Sequence, residues 1–98
     1  MLVHGGAGAI PDSKVEFKYV GTKAAVEAGV LALLSNGGSA TKAVCNAVAS
    51  MEDNPYFNAG YGSVLNEDGM VEMDAAVMDG KNLGVGGVGA VGTLFMYE

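Results

Sequence analysis

Three short stretches hold the residues best equipped for chemistry. HGGAG, residues 4–8, sets an imidazole beside glycine amides that could point at a developing negative charge, the arrangement of an oxyanion loop. The G-x-S-x-G elbow that would carry the matching serine is absent, and no Ser or Cys pairs with His4 from the sequence. His4 is therefore expected to be a hydrogen-bonded structural residue. LGVGGVGAVG, residues 83–92, holds G-x-G-x-x-G twice in overlap, at Gly84, Gly86 and Gly89 and again at Gly87, Gly89 and Gly92. A dinucleotide site needs a helix after those glycines and an acidic residue about 20 positions on, and the sequence offers neither. Glycine-rich strand packing is the expected reading. NPYFNAGYGSVLNEDG, residues 54–69, gathers Asn, aromatic residues and three glycines. A plain connector could be shorter and more polar, so this loop is expected to have a backbone shape on which something depends.

The acids Glu52, Asp53, Glu67, Asp68, Glu72, Asp74 and Asp79 lack the spacing of a twelve-residue calcium loop with its closing Glu, so most are expected to be solvated. Asp74 and Asp79 flank AAVM and are expected to accept backbone amides at strand ends rather than to catalyse. Cys45 is the one cysteine, which excludes an internal disulfide or a cysteine cage, and it is expected to be a small buried apolar residue. The net charge of -6, with 5 Lys plus Arg, argues against nucleic acid and anionic membrane as partners, since both need clustered positive charge. No apolar run approaches a membrane span and MLVH does not read as a secretory signal, so a soluble, cytoplasmic chain is expected.

The elements that must position these residues follow from hydrophobic period and turn signals. At 98 residues, half of them hydrophobic and 16 of them Gly, the chain is one folded domain or part of one, with at most one small core. MLVH reads as a strand running into the glycine turn. A first helix follows, with Phe17, Val20, Ala24, Ala28, Leu31 and Leu34 as its apolar face, and NGG at 36–38 stops it. Ser39 is a natural N-cap for a second helix, whose narrow stripe of Ala40, Ala43, Val44, Ala47, Val48 and Met51 would lie close against a sheet. SVLNEDGMVEMDAAVMDG reads as two strands joined at Asp68-Gly69, with Val71, Met73, Ala75 and Val77 on one face, and the Val- and Gly-rich end as a third late strand. The expected class is α+β, with two helices on one face of a largely antiparallel sheet. The sheet's other face would need a covering layer that these elements do not supply.

Four blocks in order, LVHGGAGAIP at 2–11, GGSATKAV at 37–44, NPYFNAGYGSVLNEDGMVEMDAAVMDGKNL at 54–83 and VGAV at 88–91, resemble the opening half of the isoaspartyl peptidase/L-asparaginase family. The resemblance implies a partial αββα sandwich of an N-terminal nucleophile hydrolase, with residues 1–98 as the amino-terminal part of a single domain. It also implies a precursor that cuts itself into α and β subunits, the new N-terminus of β being the threonine nucleophile. The implied substrates are L-asparagine and isoaspartyl peptides. The implied partner is a C-terminal β-subunit, in a heterotetramer of two α and two β. Thr93 follows a glycine as the family's nucleophile does, but TLFMYE departs from the family pattern, and Thr22 and Thr41 fall in predicted helices. The nucleophile is therefore expected outside this chain, which alone should be inactive. The alternative is a non-catalytic truncated product or interaction fragment of the same fold.

For the quoted loop the resemblance implies a structural sodium ion, held by the carbonyls of Met51, Glu52, Asn54, Phe57, Ala59 and Tyr61. Neutral oxygens suit a hard monovalent cation, and turning several inward needs the irregular backbone that Pro55, Gly60 and Gly62 allow. Asn58 is the expected supporting catalytic residue, because its amide can donate and accept near the nucleophile. The competing reading is that Asn58 only ties down the turn.

Overall fold

The structure is a computed structural model that describes residues 1–92, so Thr93 lies outside the described residues. Two helices, α1 (Asp12–Leu34) and α2 (Ala40–Glu52), precede a 3₁₀ turn (Gly60–Gly62) and two strands, β1 (Met73–Asp79) and β2 (Gly84–Val91). This is an α+β arrangement, as expected. The amino-terminal MLVH forms no strand among the described residues, because no other segment offers it a ladder.

Helix α1 opens behind Pro11, whose carbonyl accepts the Lys14 amide at 2.8 Å, and Asp12 places a negative charge at the positive end of the helix. It ends where Gly37 turns with φ +75° and the Gly38 amide returns to the Ser35 carbonyl. Ser39 then caps α2 as its sequence suggests, its Oγ accepting the Lys42 amide at 3.2 Å.

The contact between the helices corrects the expected face of α1. Gly21, Ala25, Gly29 and Ala32 are buried, whereas Phe17, Val20, Leu31 and Leu34 are exposed, Leu34 by 78%. Small residues win because the helices approach closely: a Cβ at Gly29 would stand 3.0 Å from the Ala43 carbonyl oxygen and would strike the Met1 side chain. A glycine inside a helix costs about 1 kcal/mol against alanine, and such contacts explain why it stands here. From α2, Ala43 and Ala47 fill the same seam, so its small-residue stripe is divided, the alanines facing α1 and Val44 and Val48 facing the hairpin across a cleft. Cys45 is exposed, against expectation, because it lies on the side of α2 away from this seam, beside a cleft of about 380 Å³ shared with Val44, Val48 and the hairpin.

We expect Ala25→Leu to loosen this helix pair. Ala25 is fully buried, and extra methylenes in a packed seam cost about 1–3 kcal/mol. Chemical denaturation should show a lower midpoint for Ala25→Leu and none of that loss for Leu31→Ala on the exposed face.

Strands β1 and β2 pair antiparallel, with Ala75 opposite Val88 and Asp79 opposite Gly84. Among the described residues the late sequence thus yields two strands rather than three. Residues 66–70 make the tight turn expected at Asp68-Gly69, with the Asn66 amide on the Met70 carbonyl at 2.8 Å and Gly69 at φ +74°, but no strand flanks it. Both acids behave as expected. Asp79 Oδ1 accepts the Lys81 amide at 2.9 Å. Asp74 Oδ1 accepts the Ala90 amide at 2.9 Å, across an irregularity in pairing where Ala90 sits at φ +53°. The glycines of β2 are not there to let backbone crowd in, since a Cβ at Gly86 would meet open space and one at Gly87 only ordinary contact.

Candidate functional site

The loop that follows α2 folds back on the helix end. The last turn of α2 leaves carbonyls that the helix cannot satisfy. Asp53 donates its amide to the Ala49 and Met51 carbonyls, Asn54 donates to Met51 at 3.1 Å, and Phe57 donates to Asn54 at 3.2 Å. Asn54 Oδ1 accepts the Tyr56 amide at 3.0 Å, an Asx turn that sets the direction into Pro55-Tyr56-Phe57. In the 3₁₀ turn, Gly62 donates to Ala59 and Ser63 to Gly60, each at 3.2 Å.

Two glycines make this return possible. At Gly60, with φ +53°, a Cβ would lie 2.5 Å from the Glu52 carbonyl oxygen. At Gly62 a Cβ would fall on the Phe57 carbonyl oxygen and lie 2.7 Å from that of Pro55. The turn is thus pressed against backbone oxygens from both the helix end and the loop. Carbonyls at a helix C-terminus carry the negative end of the dipole, and α2 has no basic residue in its last turn. Such a cradle suits a cation bound through carbonyl oxygen. Among the described residues no group of His, Cys, Asp and Glu side chains could hold a metal instead.

Each sequence-predicted residue can be located in this frame. Met51 and Glu52 end α2, Asn54 begins the loop, Phe57 is buried at its centre, and Ala59 and Tyr61 belong to the turn, with the Tyr61 side chain exposed. Asn58 is exposed, and its Oδ1 accepts the Val64 amide at 2.9 Å, closing the loop across six residues. Among the described residues no partner is recorded for its amide nitrogen, which keeps two donors. Ser63 Oγ is buried with no hydrogen-bond partner among the described residues. His4 is exposed. Its Nδ1 accepts the Gly6 amide at 3.1 Å, a local tie that fits the structural role expected for it.

Sequence reasoning missed the residues that seat the loop. The Phe57 ring packs on Gly21 of α1 and Gly5, Lys18 Nζ lies 5.0 Å above it, and Tyr56 stacks on Phe17 with centroids 4.5 Å apart. An isolated glycine inside a helical pattern, Gly21, was the available signal, since such a residue usually answers to packing.

Residues 1–95 match the asparaginase family, and the chain belongs to that family. Among individual relatives, it is 57% identical over 91 residues to an isoaspartyl peptidase/L-asparaginase of Danio rerio, covering 93% of this chain and 29% of the relative. It is 53% identical over 92 residues to that of Macaca fascicularis and 51% over 92 residues to that of Homo sapiens, each time 93% of this chain and 30% of the relative. The chain therefore spans under a third of the length of these curated relatives. No helix among the described residues is long and apolar enough to cross a membrane.

Proposed function

We propose that this chain is the amino-terminal, α-subunit portion of a threonine-dependent amidohydrolase acting on L-asparagine or isoaspartyl peptides. The observation that carries the reading is the 57% identity over nearly the whole chain to a protein named isoaspartyl peptidase/L-asparaginase. The exposed Phe17, Val20, Leu31 and Leu34 of α1 support it too, because apolar residues on a side of the helix away from α2 call for a covering layer. In the complete αββα sandwich that second layer comes from the β-subunit, in a tetramer of two α and two β.

The chemistry asks little of this chain and much of its partner. A threonine hydroxyl is a weak nucleophile, and its freed α-amino group, with a pKa near 8, is a base at hand. That amine takes the hydroxyl proton as oxygen attacks the amide carbonyl, then returns a proton to the departing ammonia or peptide amine. Water hydrolyses the resulting ester. Asn58 contributes from this chain by donating its side-chain N–H groups toward the nucleophile or the cleavage loop, while its Oδ1 keeps the loop closed. The carbonyls of Met51, Glu52, Asn54, Phe57, Ala59 and Tyr61 would hold a sodium ion, which would supply structural charge balance under the site. The cradle at Gly60 and Gly62 fits that use.

Ammonia release from L-asparagine tests the reading. The 98-residue chain should give none, and co-expression with the β-subunit of a close relative should restore it. Turnover by the chain alone would overturn the division of labour. Absence of turnover from a well-folded complex would leave the non-catalytic fragment as the better description.

A further inference from the structure

One side chain of the carbonyl loop is not accounted for by carbonyl geometry. Phe57 is 4% exposed and is the one large apolar side chain buried among the described residues; the other buried apolar side chains are alanines. Its ring leaves the loop and enters a socket formed by two other elements. A Cβ at Gly21 would lie 2.6 Å from Cε2 and 2.9 Å from Cζ, while one at Gly5 would lie 3.1 Å from Cε1. Opposite edges of a single ring thus fill the space that side chains at Gly21 of α1 and at Gly5 would need. Lys18 Nζ tightens the same joint, 3.5 Å from the Gly5 carbonyl oxygen and 5.0 Å from the ring centroid. The backbone of Phe57 meanwhile stands on the other side of the residue, with its carbonyl oxygen against Gly62.

The geometry points to Phe57 as a positioning residue that couples the carbonyl loop to the HGGAG segment. A cation held by the loop carbonyls would fix the Phe57 backbone, and the ring, which fills the space that side chains at Gly21 and Gly5 would need, would carry that position to Gly5. This inference rests on the sodium reading proposed above, and its test separates the two.

The experiment follows backbone amide resonances in the natural gene product while sodium chloride replaces tetramethylammonium chloride at constant ionic strength. Amides of Asn58, Ala59 and Tyr61 report the loop, and those of Gly5 and Gly6 report the amino-terminal segment. In the unaltered protein both sets should move with one midpoint. Phe57→Leu keeps the carbonyl, so the loop set should still move while the Gly5 and Gly6 displacement is lost. An undiminished displacement in that variant, or a still Gly5 and Gly6 in the unaltered protein when the loop responds, overturns the coupling. Should Phe57→Leu fail to fold, Lys18→Met replaces it, with a reduced Gly5 and Gly6 response expected and an unchanged one fatal. If sodium moves neither set, the cation reading falls, and the coupling is decided without cation. Asn58→Ala, which frees the loop from Val64, should displace Gly5 and Gly6 when Phe57 is present and not in the double variant with Phe57→Leu. Equal displacement in both backgrounds overturns it.

Discussion

Gly62→Ala is expected to unmake the carbonyl loop. The added methyl would fall on the Phe57 carbonyl oxygen, 2.7 Å from the Pro55 oxygen and 2.9 Å from the Pro55 carbonyl carbon. All of these are backbone atoms, so no rotamer change relieves the clash, and the chain must move. Moving it puts at risk the Phe57 to Asn54 and Gly62 to Ala59 hydrogen bonds, each worth about 1 kcal/mol, on top of overpacking at about 1–3 kcal/mol. A total of about 3–5 kcal/mol is a large part of what holds a domain of this size together. Two other glycines calibrate the effect. Gly69→Ala adds a methyl in open space but at φ +74°, so it should cost only the backbone strain of about 1–2 kcal/mol. Gly86→Ala meets nothing within 4 Å in an extended strand and should be neutral. Urea midpoints should therefore fall in the order Gly86→Ala, Gly69→Ala, Gly62→Ala, and equal midpoints for the first and last would show that the loop is not built on this contact.

What the sequence made legible was local, and what it hid depended on distant partners. The Ser39 cap, the stop at Gly37, the turn at Asp68-Gly69 and the carboxylate ties of Asp74 and Asp79 all rest on groups within a few residues or across one hairpin, so residue types alone announce them. The face of α1 was different. Phe17, Val20, Leu31 and Leu34 dominate the helical pattern by size, yet the side that meets α2 was chosen by closeness of approach, which favours Gly21, Ala25, Gly29 and Ala32. A pattern of large apolar residues says that a face is to be covered; it does not say by which layer. The same limit applies to MLVH and to Val64-Leu65, whose composition suits a strand but which find no ladder among the described residues. Cys45 was misjudged for the same reason, since burial on the far side of α2 would need the hairpin to close over it. In the loop after α2, the irregular backbone at Gly60 and the Asn58 turn tie were legible from residue types. The Phe57 socket was not, because it joins Gly5, Gly21 and Phe57 from three separate parts of the chain.

Asn58 separates the two uses of a side-chain amide, and a pair of substitutions should tell them apart. Its Oδ1 is committed to the Val64 amide, so the oxygen explains the shape of the loop without any catalysis. The nitrogen keeps both of its N–H groups to donate to a partner. Asn58→Asp keeps an acceptor for Val64 and removes both N–H donors, whereas Asn58→Ala removes acceptor and donors together. For the complex restored with its β-subunit, Asn58→Asp should leave the urea midpoint close to that of the unaltered protein while kcat for L-asparagine falls by about 10²–10³-fold, the loss typical of removing one positioned donor. Asn58→Ala should show the same fall in kcat and, in addition, a stability loss of about 1 kcal/mol from the unpaired Val64 amide. If the residue served the loop alone, the order would reverse, with Asn58→Asp retaining turnover and Asn58→Ala losing it only as far as the loop loosens. The acidic variant is the sharper of the two, because an added negative charge beside carbonyl oxygens would strengthen rather than weaken a bound cation. Loss of turnover with an intact or firmer loop then excludes loosening of the loop as its cause and places the effect at the reacting groups, through the lost N–H donors and the added charge.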